Sequence, residues 1–150
     1  MSEERALAAL AGLPHTVLRH GPVASLEDAA VARGVSPAAV VKTLVVRRTA
    51  GDYVFVLVPG DRQISWPKLR ALLGVNRMAL PPADEALEAT GYERGTITPF
   101  GSTTAWPVVA DEAIVGEEIT LGAGAHGVAV KLLADDAIAA LGAQVADVSD

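Results

Sequence analysis

Three pieces of this chain carry residues suited to chemistry. The first is Lys42, inside the apolar run Val40-Val41-Lys42-Thr43-Leu44-Val45-Val46. A lysine there must leave by an edge, pair with an acid or face a cavity. It can simply lie on the polar face of a half-buried strand, since Val41 and Thr43 would point the other way. Alternatively it is a cation at the floor or rim of a pocket, holding an anionic or carbonyl group. The second piece is the loop Gly91-Tyr92-Glu93-Arg94-Gly95-Thr96-Ile97-Thr98-Pro99-Phe100-Gly101. Its glycines permit positive φ, and Pro99 fixes its own φ and biases Thr98 towards an extended conformation. Such a loop can aim main-chain N–H groups at a ligand oxygen. The same residues also suit a tight connection between a helix and a strand. The third piece is Gly122-Ala123-Gly124-Ala125-His126-Gly127. A histidine in a loop is more often solvated than catalytic, but glycines on both sides allow close approach.

Other chemistries find less support. Ser102, Thr103 and Thr104 could offer hydroxyls to a polar ligand, but no Gly-x-Ser-x-Gly elbow is present. Gly122–Gly127 lacks the Gly-Lys-Ser/Thr of a phosphate-binding loop. No His-Glu-x-x-His and no cysteine occurs, so no metal or other cofactor is expected. Asp111 reads as a strand-end turn acid that could orient a neighbour. His15 and His20 flank a strand and read as structural or exposed.

The chain has 150 residues, enough for one domain with a real core spanning 1–150. Hydrophobic residues make up 51% and aromatics 4%, so the core must be mostly Val, Leu, Ile and Ala. No run approaches a membrane span, and the charged N-terminus lacks a signal-peptide core. A cytoplasmic protein with no membrane partner is the expectation. Zero cysteines exclude disulfides and thiol nucleophiles. The net charge of −6 argues against a broad nucleic-acid footprint. A small basic spot could still hold the end of a strand.

These pieces need a frame to position them. Helices are expected over Ser2–Leu10, from Ser25 to about Arg33, from Ser65-Trp66-Pro67 to about Leu73, over Ala83–Ala89 and over Asp135–Leu141. Ser36-Pro37 is another helix-start signal. Strands are expected at His15–His20, Val40–Val46, Tyr53–Val58, Arg77–Leu80, Pro107–Ala110, Glu118–Leu121, Val128–Leu132 and Gln144–Val148. The second and third of these should form an antiparallel hairpin across Thr49-Ala50-Gly51-Asp52. The order has no regular βαβ repeat. It points to an α+β fold with a mixed, largely antiparallel sheet and surrounding helices.

In this order, the Lys42 strand, Gly95-x-x-x-Pro99 with Phe100-Gly101, Pro107-Val108-x-x-Asp111 and Gly124-x-His126-Gly127 resemble the YbaK/prolyl-tRNA synthetase-associated domain family. The resemblance runs from about His15 to Val148. That family comprises trans-editing aminoacyl-tRNA deacylases. The resemblance implies a compact domain around a curved mixed sheet. It implies hydrolysis of the ester joining a wrongly attached small amino acid, such as Cys, Ala or Ser, to the 3′ acceptor end of a tRNA. The tRNA would be tRNA-Pro or similar, and a synthetase could be a partner. Lys42 matches the family's key lysine. Gly95 and Pro99 match the loop that shapes the amino-acid pocket, with Thr98, Phe100, Gly101 and Ser102 beside it. Gly124 and Gly127 match the second loop, where His126 holds a position that varies between branches. A non-catalytic aminoacyl- or nucleotide-binding module and a small-molecule esterase are the rival readings. The missing nucleophile–His–acid set disfavours the esterase.

Overall fold

The valine-rich runs on either side of Gly51 pair as expected. In the computed structural model, which describes residues 2–150, β2 (Val41–Thr49) and β3 (Asp52–Pro59) form a long antiparallel hairpin. Strand β3 is buried along almost its whole length. A strand covered on both faces needs apolar side chains at successive positions, and Val54-Phe55-Val56-Leu57-Val58 supplies them.

Two further strands extend this sheet. β4 (Val108–Asp111) lies parallel to β3, and β7 (Gln144–Ala146) lies parallel to β4, giving the order β2-β3-β4-β7. A second, fully antiparallel sheet has the order β1-β6-β5, from Thr16–Arg19, Val128–Leu133 and Glu118–Gly122. The two sheets meet at a bridge between Val40 and Thr120. Antiparallel pairing dominates, and helices surround the sheets.

Among the described residues five α-helices complete the frame: α1 (Ser2–Leu10), α2 (Leu26–Arg33), α3 (Trp66–Leu73), α4 (Ala83–Thr90) and α5 (Ala134–Leu141). Ser25 caps α2 by accepting the Asp28 N–H at 3.1 Å, and Ser65 caps α3 through the Lys68 N–H. Two expected elements do not form as the sequence suggests, and β1 and β7 are shorter than expected. Ser36-Pro37 starts only a single 3₁₀ turn, Pro37–Ala39, because the β-branched run follows at once. The stretch Arg77–Leu80 makes no strand. It contributes one bridge, in which Ala79 exchanges both main-chain hydrogen bonds with Arg47.

The hairpin divides the core into two clusters. Val41, Val45, Phe55 and Leu57 pack with Phe100, Ile97 and the strands of the second sheet. Leu44, Val46, Val54 and Val56 pack with Leu69 of α3 and Val148.

Candidate functional site

Strand β2 is the outer strand of its sheet, and its free edge is bridged only at its two ends. Val40 meets Thr120 at one end, and Arg47 meets Ala79 at the other. Residues alternate along an antiparallel strand in which side their main-chain groups face. Arg47 turns its N–H and C=O outward to Ala79. Thr43 and Val45 therefore turn theirs outward as well, along the open part of the edge.

A cavity of about 590 Å³ lies along this edge, a size typical of small-molecule sites. β2 forms one wall. The residues before and within α4 (Leu80–Ala83 and Ala86) form the apolar end, while Gly95, Ile97 and Gly122 face β2. Arg33, Lys42 and Arg94 also line it, and no Asp or Glu does. In a chain with 18 acidic and 12 basic residues, that local excess of positive charge is distinctive. The Thr43 hydroxyl is buried in this wall without a hydrogen-bond partner.

Lys42 is half-buried. Alternation sends its side chain to the face of β2 shared with Leu44 and Val46, and its ammonium donates to the Arg62 carbonyl at 2.6 Å. Further N–H donors of the ammonium remain for another acceptor. Burial pushes its pKa below the ordinary lysine value, and the Asp61 carboxylate pulls in the opposite direction.

The two glycine-rich loops touch each other. The Gly124 N–H donates to the Thr96 carbonyl at 3.0 Å. The His126 ring packs over Gly95, where an added Cβ would lie 3.5 Å from its Cε1. His126 is exposed and lies 3.5 Å from the Glu93 carboxylate. Gly124 and His126 border a separate, smaller hollow of about 350 Å³ with Glu3, Glu93 and Thr96.

The structure thus brings Lys42 and Gly95 to one cavity, with Gly124 and His126 on its neighbour. The other expected site residues sit elsewhere. The Thr98 hydroxyl accepts the Phe100 N–H, and Phe100 is part of the core. Pro99 borders another hollow, beside Trp106 and Leu141. Gly101 lies against the Arg5 backbone, and Gly127 against the His20 carbonyl. The Ser102 hydroxyl is buried and unpartnered. Asp111 ties the backbone together: its carboxylate accepts the Ala113 and Val148 N–H groups.

Tyr92 holds the first loop closed. It is fully buried and donates its hydroxyl to the Phe100 carbonyl at 2.6 Å, across the loop's width. Burial pushes its pKa up, with Arg5 opposing. Tyr92→Phe should cost about 1–2 kcal/mol, read from denaturant midpoints, because it leaves a buried carbonyl unpaired.

Sequence reasoning missed Arg33 and Thr120 altogether, and it marked Arg94, Ile97 and Gly122 only as members of the two loops. Arg33 looks like an ordinary cation in the last turn of a helix. Only the approach of the second sheet turns it towards the cavity.

Comparison with known proteins bears on the whole chain. Residues 20–140 match the aminoacyl-tRNA editing domain. The proline–tRNA ligase of Syntrophotalea carbinolica is 35% identical over 115 residues, covering 74% of this chain and 20% of the ligase. That of Thermosipho melanesiensis is 36% identical over 98 residues, covering 65% of this chain and 17% of the ligase. The uncharacterized protein YwhH of Bacillus subtilis is 36% identical over 78 residues, covering 52% of this chain and 49% of that one. The chain therefore spans a fifth or less of those ligases and about half of YwhH. A solved structure described as a candidate trans-editing enzyme for prolyl tRNA synthetase superposes with a TM-score of 0.91 at 26% identity, covering 99% of this chain and 97% of that one. Among the described residues, no helix is long and apolar enough to cross a membrane. By the match over residues 20–140, this chain belongs to the aminoacyl-tRNA editing domain family.

Proposed function

We propose that the protein hydrolyses the ester between a small, wrongly attached amino acid and the 3′ end of a tRNA. The observation that carries this reading is the cavity on the β2 edge. Its lining includes Arg33, Lys42 and Arg94 and no Asp or Glu, in a chain whose net charge is −6. Such a site suits the anionic end of one strand without demanding a basic surface for the rest of the nucleic acid.

In this reading Lys42 anchors the terminal nucleotide or the aminoacyl group, through donors not spent on Arg62. Outward main-chain groups of β2 and N–H groups of the Gly95 loop hold the ester and stabilise charge developing on its carbonyl oxygen. Water, held and polarised by the neighbouring ribose hydroxyl, attacks the carbonyl carbon. The carbon–oxygen ester bond breaks, the free amino acid leaves and the ribose hydroxyl is restored. An aminoacyl ester is activated, so no strong protein nucleophile is required.

The need for such an enzyme follows from binding energies. A synthetase pocket built for a larger amino acid excludes a smaller one poorly, because one methylene is worth only about 1–3 kcal/mol. The similarity to segments of proline–tRNA ligases supports tRNA-Pro as substrate and the ligase as a partner. The test is release of free amino acid from a panel of tRNAs charged with Ala, Cys or Ser. Release from at least one supports the proposal. Saturable binding without release from any would instead make the protein a binding module.

A pH dependence follows from the environment of Lys42. Its pKa is depressed, so it loses its positive charge at lower pH than a free lysine does. Enzyme-dependent kcat/KM, after subtracting base-driven ester hydrolysis, should fall on the alkaline side below the free-lysine range. In Lys42→Arg that decline should vanish, because guanidinium stays charged.

A further inference from the structure

Arg33 is held in the cavity wall without a counter-ion. It ends α2, and Gly34 closes the helix directly behind it. Its side chain reaches across to the second sheet, where Nη1 donates to the Thr120 hydroxyl at 3.0 Å. Thr120 is fully buried and donates its own proton to the Ala39 carbonyl at 3.2 Å. The hydroxyl must therefore act as acceptor towards Arg33, and this tethers one end of the guanidinium at the cavity wall. The Arg33 Nε–H is buried and has no acceptor. Arg19, Arg47 and Arg48 each pair with a carboxylate. No carboxylate among the described residues pairs with Arg33. An uncompensated, partly buried guanidinium is costly unless an anion arrives to meet it.

The substrate class narrows what that anion is. In an aminoacyl ester the carboxyl group of a small neutral amino acid is tied up, and its amine carries no negative charge. The acceptor end then offers only phosphodiester groups as anions. A guanidinium fork matches phosphate oxygens in geometry and charge. Arg33 shares its end of the cavity with Val40, Val41 and Gly122, where the Val40–Thr120 bridge joins the two sheets. The apolar end, Leu80 to Ala86, lies beside the outer half of β2.

We propose that Arg33, oriented by Thr120, binds the phosphate on the 5′ side of the terminal nucleoside. The polynucleotide leaves over the junction of the two sheets, and the aminoacyl end points inward along β2. This rests on the deacylase reading for the identity of the strand, but the phosphate site can be measured without turnover.

Adenosine and adenosine 5′-monophosphate are titrated into the ¹⁵N-labelled protein, and amide shifts are followed. The monophosphate should bind about tenfold more tightly than adenosine, as a charge-assisted contact warrants. Arg33→Gln should abolish that difference and leave adenosine binding unchanged, while Arg33→Lys should keep part of it. Equal affinity for the two ligands in the unmutated protein would overturn the proposal, as would a phosphate preference that survives in Arg33→Gln. In a kinetic arm, Arg33→Gln should raise KM about tenfold on an aminoacylated RNA minihelix and leave an aminoacyl-adenosine lacking that phosphate unaffected. Equal loss on both esters counts against the phosphate assignment. If the unmutated protein hydrolyses neither ester, the deacylase reading fails, and the nucleotide titration still decides the phosphate site.

Discussion

Lys42→Ala should lower kcat/KM for deacylation of mischarged tRNA about a hundredfold or more, the scale of removing one preorganised donor from a reacting carbonyl or its anchor. The fold should tolerate the change. Lys42 is half-buried, and among the described residues its ammonium donates only to the Arg62 carbonyl. Losing that bond costs about 1 kcal/mol, or about 2–4 °C in a domain of this size. A hundredfold rate loss corresponds to about 2.7 kcal/mol of transition-state stabilisation. The two effects are therefore separable by measuring melting and turnover on the same preparation. Lys42→Met keeps the apolar stem and isolates the charge. Full activity in either variant would remove Lys42 from the mechanism.

Gly124→Ala should act through stability instead, costing about 3 kcal/mol or more and lowering the thermal midpoint by about 6 °C or more. Gly124 has φ of +85°, where a side chain is strained by about 1–3 kcal/mol. A Cβ there would also lie 2.7 Å from the Ser2 carbonyl oxygen and 2.8 Å from Tyr92 Cε1. Both neighbours are fixed, one in the first turn of α1 and the other buried under the loop. The close approach that this glycine permits is thus made by the protein's own chain. Gly95→Ala is the control. Its φ is +90°, but a Cβ would meet only the His126 ring, at an ordinary 3.5 Å. It should lose less stability than Gly124→Ala, so any larger loss of turnover would report on the cavity.

How much of this was legible in the sequence depends on how local the signal is. The β2–β3 hairpin was plain in two β-branched runs around a glycine turn, and Ser25 and Ser65 announced the helices they cap. The parallel docking of β4 beside β3, and of β7 beside β4, joins segments far apart in sequence. No local pattern encodes it. Ser36-Pro37 carried a true start signal, but Val40 and Val41 limited it to one turn. At the candidate site, Lys42 and the two glycine loops stood out by type and spacing. The partners that give them context did not. Arg33, Thr120 and the open main-chain edge of β2 acquire meaning only when the second sheet crosses the first at Val40. Conversely, the packing of Phe100 and Gly101 against the core and α1 shows that a glycine–proline loop can be bent for internal reasons.

The central claim is that the aminoacyl end of the substrate lies along the free edge of β2. The direct test is a titration with a stable amide analogue of aminoacyl-adenosine, following backbone amide shifts. The account predicts that the largest changes fall on Thr43, Val45, Gly95, Ile97 and Gly122. Changes confined to the hollow beside Pro99, Trp106 and Leu141, with the β2 edge silent, would contradict it.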